Sequence, residues 1–352
     1  MASENHLDIV KAANFGSNIL DAEARLEFRC KPYTRNSRGK DKGLAEYYKG
    51  TFCVALPMTA VDTKSSKKLC YRIWYIDDYE NRRFKEICAS VSEMIASQKL
   101  NYFVSYQYLP KAIQVNGIAL PGVKMEWIDG RTLDQWLKEN RGNVKAIRKL
   151  ASDFLQMCKD FSKAGIAHGD LSNSNILVTD RNEIRLIDYD SVYAPSMRDA
   201  FYQTTAGQPA FQHPDRVRGK RLKMTRNDDN FSQQVIYLSL LAIAHDISLV
   251  DWISENELLF TSGDFQSESD FIKSRAYKRL QAVTDSEISA RLAELKAAVK
   301  GPLSAVRSIV DLQIEPKKHY VEFCHICGHK YPNTTDLYCT RCGTHRLVYL
   351  TK

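Results

Sequence analysis

Between about residues 26 and 128 the hydrophobic positions fall in short runs rich in β-branched and aromatic residues, which predicts strands over 52–57, 69–76, 102–109, 112–115 and 123–128. One helix interrupts them. Between 79 and 97, apolar residues recur at Phe84, Ile87, Cys88, Val91, Met94 and Ile95, the spacing of a single helical face. From about 132 to 312 the period becomes helical, with segments predicted over 133–140, 144–164, 229–245 and 288–299. A strand pair, 176–179 and 184–187, lies among them around the turn Asp180-Arg181-Asn182. Sheet first and helices second is an α+β plan in two lobes. The periodicity breaks at Glu315-Pro316-Lys317-Lys318, which marks a boundary before a small third module.

Composition narrows the class. The chain has 352 residues, 44% apolar and 26% charged, with 18 Tyr and 14 Phe, so it is not a disordered chain. The longest apolar runs fall short of the ~20 residues that cross a bilayer, and the polar first eight residues lack an apolar signal core. A cytoplasmic location with no membrane partner is expected. The formal charge of +8 makes no case for wholesale nucleic-acid binding. Local clusters matter more: six bases and no acids lie between Arg216 and Arg226, and a second basic stretch runs from Arg25 to Lys49. Each reads either as a solvated face or as a docking surface for an acidic or phosphorylated partner. Cys30, Cys53, Cys70, Cys88 and Cys158 are scattered in apolar settings, as small buried hydrophobes are in a reducing compartment.

The stretch with the most chemistry is His168-Gly169-Asp170-Leu171-Ser172-Asn173-Ser174-Asn175, followed across the strand pair by Asp188-Tyr189-Asp190. It resembles the catalytic core of the protein-kinase-like fold, whose loop reads H-R-D-x-x-x-x-N and whose metal motif D-F-G follows a short β-hairpin. The resemblance implies Asp170 as the base that takes the acceptor's proton, and Asn175 and Asp188 as magnesium ligands at the ATP phosphates. Other stretches agree in order. Met125-Glu126-Trp127-Ile128-Asp129-Gly130 looks like the hinge, with Met125 as gatekeeper and the backbones of Glu126 and Ile128 facing adenine. Gly207-Gln208-Pro209-Ala210-Phe211-Gln212-His213-Pro214-Asp215 resembles the end of an activation segment, and Asp229 stands where the family's central helix carries a buried aspartate. The likeness covers roughly residues 20–312, with an N-lobe to about 128.

Several positions depart from the family. Of the glycine-rich phosphate loop only Gly50 and the aromatic Phe52 remain, and the strand lysine is replaced by Arg72, whose planar guanidinium can still clamp phosphate oxygens. Lys49, in the phosphate loop itself, is the alternative donor. The glutamate that should pair with this cation is left open between Glu80, Glu86 and Glu93. Gly169 replaces the arginine that normally meets a phosphorylated activation loop, which implies activity without that switch. Asp190 stands where D-F-G has glycine. The whole resembles a divergent bacterial-type member of the family.

Beyond the boundary, Cys324-His325-Ile326-Cys327-Gly328 and Cys339-Thr340-Arg341-Cys342-Gly343 form two C-x-x-C-G knuckles. Each knuckle aims two thiolates at one point, so Cys324, Cys327, Cys339 and Cys342 are the expected ligands of one structural Zn2+, in a module similar to the zinc ribbons. Residues 313–322 read as a linker and 323–352 as the ribbon. The expected activity is ATP- and Mg2+-dependent phosphotransfer to Ser or Thr of a protein substrate or signalling partner. A pseudokinase scaffold and a small-molecule kinase are the alternatives. Nucleic acid remains an option only for the ribbon or the basic stretch 216–226.

Overall fold

The computed structural model describes the chain except residues 1–5, 21–29, 33–34, 51–52, 61–67, 75–82, 198–200, 204–205, 220–221, 313–316, 334–335 and 352. Its N-terminal half is a six-stranded antiparallel sheet in the order β1-β3-β4-β6-β5, with β2 paired to β3. The strands are β1 (Cys30–Pro32), β2 (Tyr48–Lys49), β3 (Cys53–Ala60), β4 (Lys68–Trp74), β5 (Tyr106–Val115) and β6 (Ile118–Glu126). The two strands expected over 102–109 and 112–115 are one strand, β5, whose pairing with β6 shifts register between Leu109 and Ile113. Pro110 lies at that irregularity, where a residue without an N–H is tolerated.

Alternation along β4 decides which side chains meet the cleft. Tyr71 and Ile73 point into one core, shared with Val54, Leu56 and Ile113 and closed by Ile9 and Val10 of helix α1 (His6–Ala13). Cys70, Arg72 and Trp74 therefore face the other side, since successive strand residues point oppositely. There Trp74 packs against Phe84, at 5.8 Å between ring centroids. Phe84 opens helix α2 (Phe84–Gln98), which buries Phe84, Ile87, Cys88, Val91 and Met94, the face that the sequence pattern marks.

The second half is helical around α3 (Leu133–Glu139), α4 (Val144–Ala164) and a later central helix. Helix α4 has an ordinary amphipathic face, from Ile147 and Leu150 to Cys158 and Phe161, starts at the Asn143 cap and stops at Gly165 in the left-handed region. Strands β7 (Gly130–Thr132), β8 (Ile176–Thr179) and β9 (Ile184–Leu186) form a small sheet beside it. After the short α5 (Pro214–Val217) comes α6 (Asn230–His245), buried on nearly every side. A helix that is apolar all round has no solvent face, so the other helices pack about it. Helices α7 (Glu268–Lys273), α8 (Arg275–Leu280) and α9 (Ser286–Lys300) complete this lobe. One buried cluster runs from Trp74 and Phe84 through Phe154 and Phe161 to Phe231 and Leu295, so both lobes share a core. At the C-terminus β10 (Lys317–Tyr320) pairs with β11 (Val348–Thr351), and Cys324, Tyr331 and Cys339 form a small core of their own.

Asp229 does not cap the helix it precedes. Its carboxylate accepts the backbone N–H of His168 at 2.5 Å and that of Gly169 at 2.7 Å, so the central helix grips the loop that carries Asp170. Burial pushes its pKa up to about 7, while those two amides pull the other way. Asp229→Asn leaves one carbonyl oxygen for two buried donors and should cost about 2 kcal/mol, read as a lower urea midpoint with an unchanged denaturant slope.

Candidate active site

The loop after α4 folds around backbone contacts that aim Asp170 into the cleft. His168 is fully buried, and burial lowers its pKa to about 4, so its neutral ring donates from Nε2 to the carbonyl of Ile187 at 2.9 Å. Gly169 has φ +78°, and a Cβ there would stand 2.2 Å from the backbone oxygen of Ser191. The missing arginine of the family's loop thus has a local steric cause. Asn175 donates its Nδ2 to the carbonyl of Asp170 at 2.8 Å, and its amide oxygen has no partner among the described residues.

Asp170 accepts the amide of Gln208 at 3.1 Å, which brings the predicted activation segment over it. The crossing needs a glycine. Gly207 has φ +75°, and a Cβ there would lie 2.6 Å from Oδ1 of Asp170. Burial, and then the negative charge of Asp188, push the Asp170 carboxyl up to about 6. A carboxylate tuned toward neutrality suits proton abstraction better than an ordinary one.

Tyr189 anchors the metal motif. It is fully buried, its hydroxyl accepts from the amide of Val104 at 2.9 Å and donates to the carbonyl of Leu186 at 2.7 Å, and its ring meets Phe103 and Tyr106. The aspartates on either side both reach Arg72, whose Nη2 donates to Asp188 at 2.8 Å, to Asp190 at 2.9 Å and to the Cys53 sulfur at 3.3 Å. Asp188 takes a left-handed φ of +66°, uncommon for a residue with a Cβ and typical of sites held by their surroundings. Burial opposes the charge on Arg72, but Asp190, Cys53 and Asp188 together hold it protonated well above the ordinary range. Nη1 of Arg72 is buried without a hydrogen-bond partner, and the second oxygen of Asp188 has none among the described residues. These unused donor and acceptor atoms fit a magnesium nucleotide: Arg72 would meet phosphate oxygens, and Asp188 and Asn175 would hold the metal.

The remaining expected residues are distributed as follows. Gly50 donates its amide to the carbonyl of Cys53 at 2.8 Å, and Lys49 beside it is exposed. Phe52 and Glu80 lie outside the described residues. Glu126 is exposed, Ile128 half-buried and Met125 buried, at the end of β6 and just after it. Glu86 and Glu93 both point to solvent, Glu86 toward Arg83. Neither reaches Arg72, and the buried position on α2 is held by Cys88. Asp190 is the partner that sequence reasoning missed; the signal available was an acid where the motif has glycine. The basic stretch 216–226 is not one surface either. Arg216 is buried, donating to Gln203, to the carbonyl of Asp228 and to the carbonyl of Gly169, whereas Arg218, Lys223 and Arg226 are exposed.

In the C-terminal module the four sulfurs of Cys324, Cys327, Cys339 and Cys342 lie within 4.8 Å of one another. Cys324 and Cys342 are 3.5 Å apart and Cys327 and Cys339 3.6 Å, too long for disulfides and close to the roughly 3.8 Å between sulfurs of a tetrahedral zinc–thiolate centre. The donor set fits zinc. His329 bonds Thr340, and His345 meets the Tyr338 ring edge-on.

Comparison with known proteins agrees with this geometry. The protein kinase domain family matches residues 119–265. Mitogen-activated protein kinase kinase kinase 17 of Arabidopsis thaliana is 24% identical over 132 residues, 37% of this chain and 35% of that protein. Serine/threonine-protein kinase Nek3 of Mus musculus is 26% identical over 133 residues, 37% of this chain and 26% of that protein. A probable serine/threonine-protein kinase PknB of Bifidobacterium longum is 23% identical over 186 residues, 51% of this chain and 27% of that protein. The chain thus spans about a third or less of the length of these relatives. The described residues form a protein-kinase-like fold of two lobes, followed by a four-cysteine cluster compatible with a zinc ribbon. No helix among the described residues is long and apolar enough to cross a membrane.

Two expectations follow. Gly169→Arg, which restores the commoner loop residue, should destabilise the protein by several kcal/mol in chemical denaturation, because the new Cβ meets backbone and not a yielding side chain. Elemental analysis should find one zinc per chain, with X-ray absorption giving four sulfurs at about 2.3 Å; two disulfides in this module would contradict the site.

Proposed function

We propose that the chain is an ATP- and Mg2+-dependent phosphotransferase that acts on Ser or Thr hydroxyls of protein. The observation that carries this reading is the meeting of Asp170, Asn175, Asp188 and Arg72 in one cleft with ligand atoms still free on three of them. Arg72 would bind phosphate oxygens, and Asp188 and Asn175 would orient them through the metal, which when bound offsets charge on the transferring group. Asp170 would take the acceptor's proton as the hydroxyl oxygen bonds to the γ-phosphorus and ADP leaves. The segment 207–215 lies against Asp170 and favours a protein acceptor over a small molecule. Gly50, Phe52, Glu126 and Ile128 are read as the nucleotide's other neighbours. The ribbon, residues 323–352, is read as a separable module that recruits the substrate or partner.

One contact favours a second reading, a nucleotide-binding scaffold without turnover: Arg72 already neutralises the metal aspartate. Mass spectrometry of the products of a magnesium–ATP assay separates the two. Asp188→Asn should remove turnover in a folded protein, and unchanged turnover would sink the assignment. Asp170→Ala should lower kcat by at least a hundredfold while leaving nucleotide affinity nearly intact. Because Asp170 must be ionised to accept a proton, kcat/KM should fall as pH drops through about 6, tenfold per unit below it, and be flat above. A flat profile from pH 5 to 8 would remove Asp170 from the proton transfer.

A further inference from the structure

A guanidinium on β4 that clamps phosphates needs a fixed counter-ion, and in the family that this fold resembles a glutamate of the neighbouring helix supplies it. Helix α2 has only Glu86 and Glu93, both on its exposed side. Its inward position holds Cys88, whose sulfur accepts from the hydroxyl of Tyr106 at 3.1 Å. The ion-pair partners of Arg72 come instead from across the cleft.

Those two partners are not equivalent. The Asp188 side chain is 44% exposed and that of Asp190 11%. Asp188 is open to solvent and can exchange the guanidinium for a metal ion. Asp190 is enclosed, and the packing and hydrogen bonds of Tyr189 hold its backbone in place. Once a metal takes Asp188, Arg72 without Asp190 would be a buried cation with no carboxylate, a situation that costs several kcal/mol.

We propose that Asp190 is the positioning residue that replaces the helix glutamate, holding Arg72 at the phosphate site independently of α2. This rests on the phosphotransferase reading above. It explains why an acid stands where the metal motif has glycine, and why α2 dispenses with an inward glutamate. It also moves a point of control. Displacing α2 leaves the Arg72–Asp190 contact whole, whereas separating the lobes breaks it, because Arg72 belongs to the sheet and Asp190 to the segment after β9.

The test measures binding of Mg-ATP and of adenosine to the full chain by calorimetry, and turnover, for wild type, Asp190→Gly, Asp190→Asn and the double variant Asp190→Gly/Cys88→Glu. Cys88 holds an inward position of α2, so a glutamate there tests whether the helix can supply the charge in place of Asp190. Asp190→Gly should weaken Mg-ATP about tenfold, which is roughly 1.4 kcal/mol, and leave adenosine within twofold, since Arg72 touches only phosphates. The double variant should recover Mg-ATP affinity to within about threefold of wild type. Asp190→Asn keeps the shape and removes the charge, and it is the deciding arm if the glycine variant does not fold. Equal losses for adenosine and Mg-ATP would make Asp190 a packing residue and overturn the proposal, as would wild-type affinity in both Asp190 variants. A wild-type protein that binds no Mg-ATP overturns this proposal together with the phosphotransferase reading, whereas unchanged Asp190 variants beside an active wild type overturn this one alone.

Discussion

The contact on which the geometry of the candidate site depends is the grip of one buried carboxylate on two consecutive backbone amides. Asp229, at the start of a helix enclosed on nearly all sides, holds His168 and Gly169, and through them places Asp170. A loop held only by side chains at its surface would wander over several conformers. Here it is fastened to a helix buried on nearly every side. Arg216 strengthens the same knot by donating to the carbonyls of Gly169 and Asp228, so a residue from the basic stretch acts as internal bracing.

The second constraint is charge burial between the lobes. Arg72 and Asp190 are both nearly enclosed, and isolated charges so placed would be unstable. Each is tolerated because the other is present. Tyr189 makes this possible by sending its ring into the core shared by both lobes while its neighbours remain at the cleft. The same three-residue segment therefore serves packing and the pairing of Arg72 at once.

The C-terminal module obeys different physics. Among the described residues its only buried cluster is Cys324, Tyr331 and Cys339, with Val321 and Cys327 packed against it, too little apolar surface to order such a segment alone. Four converging thiolates make up for the missing core when a metal joins them. Phe323, Ile326, Leu337 and Tyr338 stay exposed around it.

The sequence by itself determined the elements with long periodic patterns and the chemistry written in short local motifs. Helix α4 spans the very residues its pattern marks, 144–164, and the four cysteines converge as two knuckles must, because both signals depend on neighbours within a few positions. That Asp170, Asn175 and Asp188 come together was legible for the same reason. Only the tertiary structure decided what answers Arg72. Its partners lie more than a hundred positions away, and no spacing rule distinguishes a solvent-facing Glu86 or Glu93 from a buried Asp190. The cause of Gly169 was hidden likewise, since the obstacle is a backbone oxygen brought there by the fold. Local patterns fix where a side chain points along its own element, but which charge meets which is set by how the lobes close.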